Sequence, residues 1–168
     1  THVSYDELYL IFRKNAISYP EYADMITLRD IYTETILLKK KSHFDIDDEL
    51  RLKIEQLLEE VNGYEKASVS TSFWFRHYYY LSKATLLYLL NHISESFKLL
   101  QIAITDWKNH SHFIRMNGEF YIELLYMINY VGILNGSFSY VTSVFNDKQT
   151  DQIEDAVQRA NLEAIKYL

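Results

Sequence analysis

Three side chains in the middle of the chain have the types and the spacing of metal ligands. Asp106 and His110 lie one helical turn apart, and His112 follows two residues later. A zinc site needs three or four such ligands brought to one point. No cysteine, no His-Glu-x-x-His pattern and no further acidic residue close by supports these three. We therefore predict no metal site and no cofactor.

The acidic run at residues 45–49 is the second feature that could do chemistry, as a calcium-binding loop. Such a loop has Gly at its sixth position and a bidentate Glu at its twelfth. Counted from Asp45, these positions hold Leu50 and Gln56. Acidic side chains are also stabilised by the dipole at the N-terminus of a helix. We therefore interpret the run as the start of a helix.

The sequence carries no motif of an enzyme active site. It has no nucleophile elbow, no phosphate-binding glycine loop and no dinucleotide-binding fingerprint. Acidic residues are abundant, but Glu55, Glu59 and Glu60 have the spacing of a solvent-facing helix surface. A pair of catalytic carboxylates that meets only in three dimensions stays open as an alternative. We predict a protein without catalytic residues.

Charge and hydropathy exclude two classes of partner. The net charge is −6, so there is no overall basic field that would attract nucleic acid. The one basic run, residues 39–41, ends a predicted helix, where it complements the negative end of the helix dipole. The longest nearly apolar stretch, residues 124–134, is too short to cross a bilayer. We expect a soluble, cytoplasmic protein that neither contacts nucleic acid nor inserts into a membrane.

The elements that carry these residues are predicted to be helices. The chain has 168 residues with four Gly and one Pro, too few turn residues for a sandwich or a barrel. We predict one all-α domain over residues 1–168, built from antiparallel helix hairpins. Capping residues and apolar spacing place the helices at about residues 5–16, 20–41, 45–62, 72–91, 93–110, 118–134, 137–146 and 150–168. The last one reaches the chain end without a stop signal, which favours a fragment of a longer array.

Aromatic residues are concentrated in the middle of the chain. Residues 73–146 hold 17 of the 26 aromatic side chains, so this segment must bury many rings. The densest cluster is Phe73, Trp74, Phe75, Tyr78, Tyr79 and Tyr80. Six such neighbours point all round a helix. We interpret the cluster as core by default and keep an aromatic groove for a peptide or a glycan as the alternative.

Two stretches of this segment look alike when they are offset by 44 residues. The turn that begins at Leu90 then matches the turn that begins at Leu134. Apolar character is kept in the pairs Leu87/Val131, Phe97/Val141 and Leu100/Val144, whereas size changes in Ala84/Ile128 and Ser96/Tyr140. We therefore predict two related helix hairpins in residues 73–146, with the helices of residues 1–70 packed beside them.

The first hairpin resembles a tetratricopeptide repeat (TPR). Small and large residues alternate at that family's spacing in Ala84, Leu87, Ser96, Leu100 and Ala103. The stretch from Trp107 to Arg115, followed by residues 121–134, is similar to the divergent TPR-like proteins that are abundant in Bacteroidetes. The resemblance implies a short right-handed α-solenoid of stacked hairpins. The sequence departs from the family at Ile128 and Tyr140, so we expect looser packing or another angle in the second hairpin.

The resemblance also implies a concave binding surface on the first helix of each hairpin. The inner positions would be Tyr78, Ser82, Thr85 and Leu89 in one helix, and Ile122, Tyr126, Asn129 and Ile133 in the next. Asn129 matches the place where TPR domains hold a peptide backbone with an amide, which donates and accepts hydrogen bonds at once. A buried amide bonded within the helix stack is the alternative for Asn129. Lys and Arg are absent from the neighbouring inner positions, which disfavours a carboxylate clamp.

These features predict a non-enzymatic scaffold that binds a protein or a peptide. A regulatory domain that senses a ligand or a peptide, and signals to an effector domain elsewhere in the protein, is the alternative. The sequence leaves the partner and the oligomeric state open.

Overall fold

A computed structural model describes Leu10, Lys14 and residues 20–41, 46–68 and 72–145 of the chain. All regular secondary structure in these residues is helical, which confirms the predicted all-α class. The helix predicted over residues 5–16 is described only at Leu10 and Lys14, and both are helical. The helix predicted from residue 150 onward lies outside the described residues.

Six of the described helices match predicted ones to within three residues at each end, whereas two short helices, Glu65–Ser68 and His112–Met116, were not predicted. The described helices are α1 (Pro20–Lys41), α2 (Asp48–Asn62), α3 (Glu65–Ser68), α4 (Phe73–Leu89), α5 (Ile93–Asn109), α6 (His112–Met116), α7 (Gly118–Leu134) and α8 (Phe138–Phe145). Asp47 caps α2 by accepting a 2.8 Å hydrogen bond from the Leu50 amide. Ser72 caps α4 in the same way, with a 3.3 Å bond from the Phe75 amide. The acidic run therefore begins a helix, as predicted.

Two helix hairpins, α4–α5 and α7–α8, pack on each other, and α1 packs more extensively on α4 than on α2. Helix α1 packs against α2, α4 against α5, and α7 against α8, while α2 contacts α4 and α5 contacts α7. Helix α1 also lies along α4. Tyr32 of α1 meets Glu123 of α7, and Lys39, further along α1, meets Met127. Helices α1 and α7 therefore run in the same direction.

Two apolar cores share helix α4. One core lies between α4, α5, α7 and α8 and contains the fully buried rings of Trp107 and Tyr121. The other lies between α1, α2 and α4 and contains Leu28, Ile54 and Tyr79. Each buried ring contributes on the order of 2 kcal/mol to the free energy of unfolding. Because α4 has a core on either side, it is buried over most of its circumference.

The two hairpin turns have the same hydrogen bonds. His92 donates its amide to the Leu87 carbonyl, and Ser137 donates to the Gly132 carbonyl, both at 2.8 Å. The residue before each donor has a left-handed φ, 65° at Asn91 and 73° at Gly136. This is the Schellman ending of a helix.

These turns correct the offset of the repeat. Helices α4 and α7 each have 17 residues, and their first residues, Phe73 and Gly118, lie 45 positions apart. The predicted offset of 44 therefore misses the turns by one residue. The apolar pairs at 44, such as Leu87/Val131, are nevertheless buried. Pairs 45 positions apart, such as Leu86/Val131 and Leu100/Phe145, are buried as well, so burial does not distinguish the two offsets.

Small residues bring the helices of each hairpin together at different places. In the first hairpin, Ser96 Oγ donates to the Ala84 carbonyl at 2.7 Å, and both residues are fully buried. In the second, Gly132 allows the close approach, since a Cβ there would lie 2.4 Å from Val141 Cγ2. The large side chain of Ile128 is therefore tolerated, because the helices of the second hairpin come closest at Gly132, one helical turn after Ile128.

Candidate functional site

The four predicted inner positions on α4 are mostly covered. Ser82, Thr85 and Leu89 are buried, and Tyr78 is half-buried. Helices α1 and α2 both pack against α4, and the α1–α2 core includes Leu89. The expected exposure is therefore wrong for Ser82, Thr85 and Leu89. Tyr78 remains at the surface, where it lines a cleft.

The four predicted inner positions on α7 are more open. Tyr126 is 43% exposed and Ile133 is 42% exposed, whereas Ile122 and Asn129 are half-buried. Tyr130, which the sequence did not single out, is 47% exposed. Tyr126, Tyr130 and Ile133 are spaced by four and three residues, so they lie on one side of α7. We call these three residues the tyrosine face.

Neighbouring helices border the tyrosine face with polar groups. Tyr88 of α4 packs edge-on against Tyr130, with ring centroids 5.5 Å apart. Burial and a hydrogen bond with Tyr130 raise the pKa of Tyr88. Lys39 of α1 lies 5.4 Å from the centre of the Tyr126 ring, and burial lowers the pKa of its ammonium group. The face thus combines exposed rings, hydroxyl groups and one cation.

A cleft opens further toward the N-termini of α4 and α7. Its volume is about 530 Å³. Three helices and the residue before α7 line this aromatic cleft: Met25, Ile26, Arg29, Tyr32 and Thr33 of α1, Trp74 and Tyr78 of α4, and Asn117 and Phe120 at the start of α7. The cluster of residues 73–80 is therefore both core and groove, since Phe73, Phe75 and Tyr79 are buried while Trp74 and Tyr78 face the cleft.

Tyr32 ties α1 to α7 beside the aromatic cleft. Its hydroxyl donates a 2.5 Å hydrogen bond to Glu123 Oε2. Burial, together with the Glu123 carboxylate, raises the pKa of Tyr32. The ring also packs against Tyr78, with centroids 5.2 Å apart. The bond holds the rings of α1 and α4 in place against α7.

His77 lies beneath the aromatic cleft. Its Nδ1 accepts a 3.1 Å hydrogen bond from Trp107 Nε1, so the ring hydrogen must be on Nε2. Nε2 is buried and has no hydrogen-bond partner among the described residues. Burial lowers the pKa of His77 to about 3. The imidazole is therefore neutral and carries an unsatisfied donor.

Asp106 and His110 serve as structural partners on the other side of α4. Arg76 donates to the two carboxylate oxygens of Asp106 at 2.8 and 3.0 Å. His110 Nδ1 lies 3.2 Å from one of these oxygens, and His112 is exposed. Within residues 20–41, 46–68 and 72–145 no three acidic or histidine side chains gather as a metal site. Both carboxylate oxygens of Asp106 thus accept hydrogen bonds from the Arg76 guanidinium.

Sequence reasoning missed the contribution of α1 to the cleft. Met25, Arg29 and Tyr32 were expected only to pack beside the hairpins, and Phe120 was not singled out. Tyr32 and Phe120 are aromatic, but α7 also carries Tyr121, Tyr126 and Tyr130, so the residue type alone did not mark these two positions. Their convergence depends on how α1 docks on α4 and α7.

Comparison with protein-family models, with curated proteins and with solved structures finds no match to this chain. Across the described helices, none has both the length and the apolar character needed to cross a bilayer.

Proposed function

We propose that the chain is a non-enzymatic, TPR-like helical-repeat scaffold that binds a protein or a peptide. The stacking of the hairpin α4–α5 on the hairpin α7–α8 supports this arrangement, because stacking of paired helices is how helical repeats bury their apolar faces. The spacing of 45 residues between the hairpins exceeds the TPR length of about 34 residues. The units are thus longer than those of the family that the sequence resembles.

The exposed rings of the tyrosine face carry the proposal. Tyr126 and Tyr130 are close to half exposed, and Ile133 continues the row. Large exposed apolar side chains in one patch mark contact surfaces in soluble proteins. Tyrosine is also enriched at the residues that dominate binding energy, because it offers a wide apolar ring and a polar tip.

The polar groups around the face suit an extended segment of a partner. The hydroxyl groups of Tyr126 and Tyr130 can donate to and accept from a peptide backbone. Asn129, half-buried on the same helix, can do the same with its amide. Lys39 adds positive charge beside Tyr126, which favours a segment with an acidic side chain.

The test is a selection from a random peptide library, followed by titration of the recovered peptides. Replacing both Tyr126 and Tyr130 by Ala should weaken binding by about tenfold or more. A loss of about 1.4 kcal/mol of binding free energy corresponds to a factor of ten, and side chains that dominate an interface contribute at least that much. Leu52→Ala is the matched control, since Leu52 is 56% exposed on α2. Equal affinity of the double variant and the wild type would overturn the proposed face.

A ligand-sensing regulatory domain is the second function that we propose. The aromatic cleft favours it, because a concave site with apolar walls and a few polar groups is typical of small-molecule binding. An effector domain elsewhere in the protein would then respond to the binding of a ligand in the cleft.

A further inference from the structure

The aromatic cleft combines apolar walls with very little charge. Arg29 is the one charged side chain among the described residues that line it, and Arg29 already has an interaction within the protein. A charged ligand would lose its hydration on entering these walls without finding an uncommitted counter-charge among the described lining residues. The volume of about 530 Å³ falls within the roughly 300–1,000 Å³ of pockets that hold small organic molecules. The cleft therefore favours a small, uncharged ligand.

The walls of the cleft favour a flat ring. The Trp74 ring is nearly edge-on to Phe120, at 68° with centroids 5.5 Å apart, and it is tilted by 31° against Tyr78. Rings in such arrangements do not cover one another's faces. A flat ligand can therefore stack on one ring while its edge meets the next, which is how aromatic groups prefer to pair.

His77 places a hydrogen-bond donor behind these rings. Its ring centroid lies 5.5 to 5.9 Å from those of the four rings that line the cleft: Tyr78, Phe120, Trp74 and Tyr32. Nδ1 accepts the hydrogen bond of Trp107, so the hydrogen is on Nε2, at the other side of the imidazole. Trp107 does not line the cleft. The Nε2 hydrogen is thereby directed away from Trp107, toward the rings of the cleft.

This donor has no good acceptor inside the protein. Nε2 of His77 is buried, and no described residue accepts its hydrogen. The face of an aromatic ring accepts a hydrogen bond only weakly, and a buried donor without an acceptor costs free energy. Because burial lowers the pKa of His77 to about 3, the imidazole is a neutral donor that does not require an anion.

A ligand oxygen that reaches between the rings would accept this hydrogen and relieve the cost. We propose that the cleft binds a small, uncharged aromatic compound whose carbonyl oxygen accepts the Nε2 hydrogen of His77. The proposal deepens the ligand-sensing function and does not depend on peptide binding at the tyrosine face.

The test is NMR titration of the protein with acetophenone and with α-methylstyrene. The two compounds have the same shape, but one has a carbonyl oxygen where the other has a methylene group. In the wild type, acetophenone should move the proton resonance of His77 Nε2 downfield, as a new hydrogen bond does, and α-methylstyrene should not. This measurement needs no variant.

Replacing His77 by Phe keeps a ring at this position and removes the donor. The ratio of the affinity for acetophenone to that for α-methylstyrene should then fall by about tenfold, the effect of one hydrogen bond to an otherwise unsatisfied buried donor. Differences in hydration between the two compounds cancel when this ratio is compared between proteins. His112→Phe, at an exposed position, is the control and should keep the wild-type ratio. Trp74→Leu should weaken both compounds alike.

Phe at position 77 also leaves Trp107 Nε1 without its acceptor, so thermal unfolding must show that the variant is folded. An unchanged ratio in folded His77→Phe, or no shift of the Nε2 hydrogen with acetophenone, would overturn the recognition of a carbonyl and leave the cleft a ligand site. Binding of neither compound, or binding that Trp74→Leu does not weaken, would overturn the ligand-sensing function of the cleft as well. The peptide face is tested separately, because Tyr126 and Tyr130 do not line the aromatic cleft.

Discussion

Replacing His77 by Gln tests whether a neutral imidazole is sealed inside the protein. The ring is 2% exposed, and burial lowers its pKa from 6.5 to about 3. Because the folded pKa is the lower one, the unfolded chain takes up the proton first as the pH falls. The contribution of His77 to stability is therefore complete above pH 6.5 and is lost progressively between pH 6.5 and 3.

The size of this loss follows from the two pKa values. At pH 5 the imidazole is almost fully protonated in the unfolded chain and almost fully neutral in the folded one. The free energy of unfolding should then be about 2 kcal/mol lower than at pH 7.

The assay is urea unfolding at pH 7 and at pH 5. Gln at position 77 keeps an acceptor for Trp107 Nε1 and cannot titrate, so His77→Gln should lose about 2 kcal/mol less than the wild type over this interval. Carboxylates titrate in both proteins and cancel in the comparison. His112→Gln, at an exposed position, is the matched control. Equal losses in the wild type and in His77→Gln would refute a buried neutral histidine.

Two further predictions concern glycines of the second hairpin. Gly132→Ala places a methyl group 2.4 Å from Val141 Cγ2. The cost of overpacking, about 1–3 kcal/mol, should outweigh the gain in helix propensity of about 1 kcal/mol, so the variant should be less stable. An unchanged melting temperature would contradict the close approach. Gly136→Ala should cost about 1 kcal/mol through its left-handed φ. Gly136→Asn should cost less, because Asn91 has that conformation in the first turn, so equal losses in the two variants would count against the equivalence of the turns.

Local signals in the sequence predicted the helices well. Asp47 and Ser72 cap the helices that their types and positions indicated. The scarcity of Gly and Pro predicted the all-α class, because long helices need few turn residues. These features depend on neighbours within one turn of helix, so a single sequence contains them.

These local signals could not predict which faces of α4 are covered by other helices and which are exposed. Ser82 and Thr85 are small and polar, which suits a solvent-facing position, yet both are buried. The cleft likewise depends on where Arg29 and Tyr32 of α1 come to lie against α4 and α7. These contacts join residues about 45 or more positions apart along the chain, and helical periodicity holds no information about them.

The offset of the repeat also could not be predicted correctly from the sequence. Apolar residues such as Phe97 and Val141 match at 44 positions and are buried, while the turns match at 45 through Asn91 and Gly136. The Leu-Asn pairs at residues 90–91 and 134–135 match at 44 as the apolar positions do, so a comparison of residue types finds the shorter offset. The turn is set by backbone conformation, which several residue types can adopt.

Helix α4 has consequences for how the described part of the chain unfolds. Its residues supply one side of both cores, with Tyr79 and Leu86 in one and Leu81 and Ala84 in the other. Loss of α1 and α2 would leave the first set facing water, and loss of α5 and α7 would do the same to the second. Neither half therefore has a complete apolar interior of its own, and the two should melt in a single transition.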